Sequence, residues 1–129
     1  MRYVLDSWAV EAVLRDEPAG PKVKPVIERG DGVISWINLG EVFYVESRRV
    51  GEPRAEQAVF ELARLMTVDA PDGDLVLAAA RIKARGGLSY ADCFVIATAQ
   101  RYGAPLLTGD PEIIRHGAHV EIVDLRTAA

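Results

Sequence analysis

Five short apolar runs set the limits on this chain. Tyr3-Val4-Leu5, Val33-Ile34-Ser35, Met66-Thr67-Val68, Leu106-Leu107-Thr108 and the stretch from Val120 to Leu125 are separated by long segments whose apolar residues recur at helical spacing. Runs so short, and apolar on consecutive residues, suit strands covered on both faces. The segments between them are too long for hairpin turns, so neighbouring strands are joined by helical crossovers and run parallel. The expected fold class is α/β: a central parallel sheet of four to five short strands between two helical layers.

The helices follow from punctuation and periodicity. One is expected from Ser7 to Arg15, ending before Pro18-Ala19-Gly20-Pro21. Val23, Val26 and Ile27 share a face of a second, closed by Gly30. A third starts at Asn38 and runs to about Arg49, where Gly51-Glu52-Pro53 interrupts it. Ala55, Ala58, Val59, Leu62, Ala63 and Leu65 mark a fourth, and Asp74 to Arg85 a fifth with Leu75, Ala78, Ala79 and Ile82 inward. After Gly86-Gly87, Ser89 opens a helix that is apolar nearly all round from residue 91 to 100, hence central and buried. A short helix or turn spans residues 111 to 116. No linker, repeat or low-complexity tract divides the sequence, so residues 1–129 are expected to form a single domain.

Half of the 129 residues are hydrophobic, enough for a substantial core, while only 7% are aromatic. The lone cysteine, Cys93, excludes an internal disulfide; within Cys93-Phe94-Val95-Ile96-Ala97 it reads as a small buried hydrophobe rather than a reactive thiol. Glu11 interrupts the apolar stretch from Trp8 to Leu14, which argues against a signal peptide, and no apolar run reaches membrane-spanning length. A soluble, cytoplasmic protein is expected. The net charge of −4 gives no support for a polyanionic partner, although setting aside four acids discussed next leaves acids and bases balanced at 15 each. Two basic stretches, Arg48-Arg49-Arg54 and Arg81-Lys83-Arg85, read as solvated helix faces before phosphate contacts.

Those four acids are Asp6, Glu41, Asp92 and Asp110, each beside a small or polar residue at the start of a helix. Singly, each has an ordinary explanation. Asp6 and Asp110 suit N-caps, the latter followed by Pro111 at the first helical position. Ser89-x-x-Asp92 and Asn38-x-x-Glu41 resemble capping boxes. Jointly they point elsewhere. In an open parallel sheet, sites form beyond the carboxyl ends of the strands. Asp6 follows the first strand directly, Asp110 lies two residues past the fourth, Glu41 six past Ser35, and Asp92 begins the buried helix. One sheet edge can therefore collect all four. Clustered carboxylates repel and must either take up protons or share a cation. An oxygen-only ligand set suits Mg²⁺ or Mn²⁺. Ser7 and Thr108 are positioned to donate hydrogen bonds to the carboxylates or to bound water, and Glu112 is a candidate fifth acid.

Other chemistry finds less support. There is neither a Gly-x-x-x-x-Gly-Lys loop nor a Gly-x-Gly-x-x-Gly turn. His116-Gly117-Ala118-His119 is too closely spaced for a paired-histidine metal site and reads as surface turn residues. With both histidines in one turn, no Ser-His-Asp set arises. Asp6-Ser7-Trp8 lacks an aspartate two residues on, against an aspartyl-phosphate intermediate.

Val4-Leu5-Asp6-Ser7, Asn38-x-x-Glu41-Val42, Leu88-Ser89-x-Ala91-Asp92 with Ala97, and Leu107-Thr108-Gly109-Asp110 together resemble the PIN-domain ribonucleases, specifically VapC-like toxins of bacterial toxin–antitoxin pairs. Each segment is weakly specific; their order and spacing over nearly the whole chain are far more so. The resemblance implies a PIN-like three-layer fold over residues 1–129 and an active site of Asp6, Glu41, Asp92 and Asp110, with Asp6 and Asp92 at the positions usually assigned to Mg²⁺. Ser7 and Thr108 match the usual polar companions. The implied activity is endoribonucleolytic hydrolysis of single-stranded or looped RNA by metal-activated water, leaving a 5′ phosphate and a 3′ hydroxyl. A VapB-like antitoxin and a homodimer are the implied partners. Two rivals are a non-catalytic PIN-like module that only binds RNA or protein, and a receiver-type phosphoacceptor. The second lacks its acidic pair after the first strand and a lysine between Leu106 and Asp124.

Overall fold

The first strand, β1 (Tyr3–Leu5), lies at the centre of a five-stranded parallel sheet ordered β3-β2-β1-β4-β5. Its neighbours are β2 (Gly32–Ser35) and β4 (Leu106–Thr108), while β3 (Thr67–Asp69) and β5 (Ile122–Asp124) form the edges. Val4 stands opposite Val33 on one side and Leu106 on the other. This is a computed structural model, and it describes residues 1–117 and 119–127.

Seven helices join the strands among the described residues: α1 (Ser7–Leu14), α2 (Gly20–Glu28), α3 (Trp36–Val50), α4 (Glu52–Leu65), α5 (Gly73–Ala84), α6 (Tyr90–Tyr102) and α7 (Pro111–His116). Consecutive strand residues point to opposite faces, and the apolar pairs exploit this. Leu5, Ile34 and Leu107 face one core with α1 to α4; Val4, Val33 and Leu106 face a second with α5, α6 and Ile113 of α7. The result is the α/β/α sandwich that doubly apolar strands require. Helix α6 is buried through its middle, from Cys93 to Ala99. None of the helices is long and apolar enough to cross a membrane.

The sequence-based boundaries need three corrections. Helix α3 begins at Trp36, not Asn38, because Ser35 already caps it: its Oγ accepts from the Ile37 N–H at 3.1 Å. Asn38 is therefore a buried first-turn residue rather than a cap. The last strand is three residues, not six, since β4 offers only Leu106, Leu107 and Thr108 as partners; Leu125 then turns into the core. His116 closes α7 instead of lying in a turn, whereas Ala118, between it and His119, lies outside the described residues.

Candidate active site

The chain leaves β1 toward β2 and β3, then returns to place β4 and β5 on β1's other side. The connections after β1 and β4 therefore diverge and open a crevice at their carboxyl ends, the usual ligand position in such sheets. Asp6 is the first residue past β1. Its extended backbone caps α1, and Oδ1 accepts from the Ala9 N–H at 2.8 Å. The Thr108 hydroxyl, at the end of β4, donates to Oδ2. The same Thr108 oxygen accepts from the Asp110 N–H at 2.9 Å, tying the two strand ends together. Asp110 caps α7, accepting from the Glu112 N–H at 2.8 Å, with Pro111 where no N–H is needed.

Asp92 and Glu41 arrive from opposite helical layers. Ser89 caps α6 by accepting from the Asp92 N–H at 3.2 Å, which fixes Asp92 in the first turn. Glu41 follows in the second turn of α3. The two helices are joined here by Asn38, whose Nδ2 donates to the Ala91 carbonyl at 3.1 Å. Capping thus accounts for the placement of Asp6, Asp92 and Asp110, whereas Glu41 is placed by the second turn of α3 rather than by a cap.

Electrostatics show how near the acids stand. Burial raises the Asp6 carboxyl to about 7 against hydrogen bonds from Thr108 and Ala9 that lower it; the charges of Asp110 and Asp92 raise it further. Burial likewise lifts Asp92 to about 6, with Asp110, Glu41 and Glu112 adding repulsion and the Ser89 hydroxyl opposing it. Asp6 therefore feels Asp110 and Asp92, and Asp92 feels Asp110, Glu41 and Glu112, the last from a more exposed position in the first turn of α7. Ser7 is only half-buried, and its hydroxyl makes no hydrogen bond to the acids; the polar companion present is Thr108.

The residues fit a hard divalent cation. Glu41 Oε1 is buried without a hydrogen-bond partner, as is Asn38 Oδ1. Buried acceptors left unpaired, beside carboxyls whose protons are held by burial, are stabilised when positive charge enters. Among the described residues no three acidic, histidine or cysteine side chains form a ready-made cage. Mg²⁺ commonly takes only one or two carboxylates and completes its shell with water.

At the pit, the sequence reading gave Asn38 another role and missed Trp8. Asn38 acts as a brace between α3 and α6, not as a cap. Trp8 lies over Gly109, in the turn that carries Asp110. The available signals were an amide one turn before an acid and a glycine between two site residues.

A family model described as PIN domain matches residues 3–118. Ribonuclease VapC of Mycolicibacterium smegmatis is 34% identical over 113 residues, covering 81% of this chain and 88% of that protein. Among solved structures, DNA-bound VapBC from Salmonella typhimurium superposes with a TM-score of 0.76 at 18% identity, over 97% of this chain and 98% of that one. VapC20 of Mycobacterium tuberculosis, a Sarcin-Ricin loop cleaving toxin, gives 0.73 at 19% identity, over 88% and 93%. VapBC-1 from nontypeable Haemophilus influenzae gives 0.74 at 17%, over 98% and 100%. At these identities the solved structures bear on the fold alone.

Proposed function

Because the chain belongs to the PIN-domain family, among its VapC-like members, we propose that it is a metal-dependent endoribonuclease toxin that hydrolyses RNA phosphodiester bonds. What supports this reading is that a fully buried Asp6 feels the charges of Asp92 and Asp110, while Asp92 in turn feels Asp110 and Glu41. Like charge around a buried carboxyl is unfavourable unless a cation or protons offset it.

Asp6 and Asp92 are the proposed ligands of Mg²⁺, with Mn²⁺ an acceptable substitute. When bound, such an ion acidifies water and offsets charge on the phosphate. Thr108 and the Ala9 N–H hold both Asp6 oxygens, so that carboxylate is presented in one orientation. Glu41, with Oε1 unengaged, is the acceptor for the proton of the attacking water. Asp110, fixed as a cap, adds negative charge that favours cation entry. No side-chain nucleophile is required, in keeping with the buried position of Cys93. A narrow acidic pit favours RNA that is single-stranded or looped.

The test is cleavage of total RNA with Mg²⁺ or Mn²⁺, with and without EDTA, by wild type and Asp92→Asn. Cleavage that persists in EDTA, or full activity in the variant, would refute the mechanism.

A VapB-like antitoxin is the proposed regulator. Several structural neighbours are VapBC complexes. An apolar groove of about 380 Å³ between α3 and α4, lined by Trp36, Leu39, Phe43, Val59 and Phe60, suits the apolar face of a partner helix. An arginine carried by that partner into the acidic pit would inhibit directly. Nuclease activity unchanged by purified antitoxin would sink this part. A homodimer, the remaining proposed assembly, is checked by solution mass.

A further inference from the structure

Trp8 stands two residues past Asp6, in the first turn of α1. Its indole covers the backbone of Gly109, which lies between Thr108 and Asp110. A Cβ on Gly109 would fall 2.3 Å from both Cζ2 and Cη2 and 2.6 Å from Cζ3, so the benzo edge of the ring fills the space a side chain would take. The ring thus leans across the crevice from one acid-bearing strand end to the other. Part of it packs on the core beneath α1, yet the residue is only partly buried. Its indole N–H makes no hydrogen bond among the described residues and is not one of the buried unpartnered atoms.

A leucine or isoleucine would serve that core contact without leaving an aromatic ring partly exposed. The site also poses a binding problem. Its walls carry Asp6, Asp92, Asp110 and Glu112, all of which repel phosphate. Beyond the phosphate that a bound cation would hold, a strand lying along these acids gains from attraction that does not depend on its charge. Stacking of an unpaired base on an aromatic ring supplies that, because every base has a π-face.

We propose that Trp8 is the platform on which an unpaired base of the RNA stacks beside the acidic site, and that Gly109 is glycine so that the ring can lie there. This rests on the ribonuclease reading of the same site. Trp8 touches substrate and sets binding, whereas the acids carry the chemistry.

The chain has two tryptophans, so Trp36→Phe leaves Trp8 as the sole reporter. In that background, with Asp92→Asn added to prevent cleavage, titration with a single-stranded RNA oligonucleotide is expected to quench Trp8 emission saturably. In cleavage assays, Trp8→Leu is expected to raise KM about tenfold, more than it lowers kcat, since stacking contributes about 1–3 kcal/mol per base. Trp8→Phe, which keeps a ring, should recover most of that loss and remains informative if the leucine variant folds poorly. Flat emission together with an unchanged KM in the leucine variant, while wild type still cleaves RNA, would overturn the platform and leave the nuclease reading intact. If wild type cleaves no RNA, that reading fails, and the emission titration alone decides: saturable quenching supports stacking, and flat emission refutes it.

Discussion

At the scale of single residues, Asp6 and Glu41 show two ways of preparing a carboxylate. Asp6 has both oxygens engaged, one by the Ala9 N–H and one by the Thr108 hydroxyl, and is oriented but hard to ionise. Glu41 has a buried Oε1 with no hydrogen-bond donor beside it, an acceptor left unused by the fold. Replacing Glu41 with Gln removes the acceptor while keeping the shape. Single-turnover assays are expected to show kcat lower by about 10²- to 10⁴-fold, the range for loss of a general base. Thr108→Val preserves volume but releases Asp6 Oδ2. Metal titration should then give an affinity weaker by about 10- to 100-fold, as for other groups that orient a ligand.

At the scale of elements, the site depends on where three helices begin. The helices after β1 and β4 are capped by Asp6, directly past its strand, and by Asp110, two residues past its own. Helix α6 has a different origin: it enters from the second core, capped by Ser89, and is held against α3 by Asn38. Asn38→Ala removes the side-chain bond that ties α3 to α6, while the Ala91 carbonyl keeps its partner within the helix. Chemical denaturation is expected to show a loss of about 0.5–1.5 kcal/mol, with activity falling as Asp92 loses its fixed approach. The loop before α6 has its own constraint. Gly87 has φ +91°, and a Cβ there would lie 3.1–3.2 Å from His116 ring atoms. The glycine-rich stretch Gly86-Gly87 therefore lets the loop turn back under α7 rather than simply ending a helix.

Over the whole molecule, buried carboxyls set the response to pH. Asp6 and Glu11 are raised to about 7 and Asp92 to about 6, each chiefly by burial. Glu11 also lies beside the buried Glu46, which raises it further and which Arg49 holds low through contacts of 2.6–3.2 Å. Between about pH 4 and pH 7 the unfolded chain has released protons that the folded chain still retains on Asp6, Asp92 and Glu11. Stability contributed by these three groups is therefore complete at the acidic end and is lost as pH rises through 6 to 7. Without added metal, the melting temperature is expected to fall across that window. A cation competing with those protons should stabilise the fold more at pH 8 than at pH 5. Thermal melts at both values, with EDTA and with Mn²⁺, check this; equal metal-induced shifts at the two would contradict it.

Sequence alone was enough for the layers. Val4-Leu5, Val33-Ile34 and Leu106-Leu107 are adjacent apolar pairs, and because neighbouring side chains in a strand point opposite ways, a core on each side was already required. The acids' proximity to strand ends and helix starts was equally legible, since caps and turn residues are local signals. The tertiary structure decided the rest, because the missing facts concern partners distant in the chain. Thr108 reaches Asp6 across 102 positions and Asn38 reaches Ala91 across 53, and no periodicity encodes either bond. The ring over Gly109 is of the same kind: a glycine in a turn looks like backbone freedom until folding lays Trp8 upon it. Local chemistry specified which elements form; the order of strands around β1 determined which side chains meet.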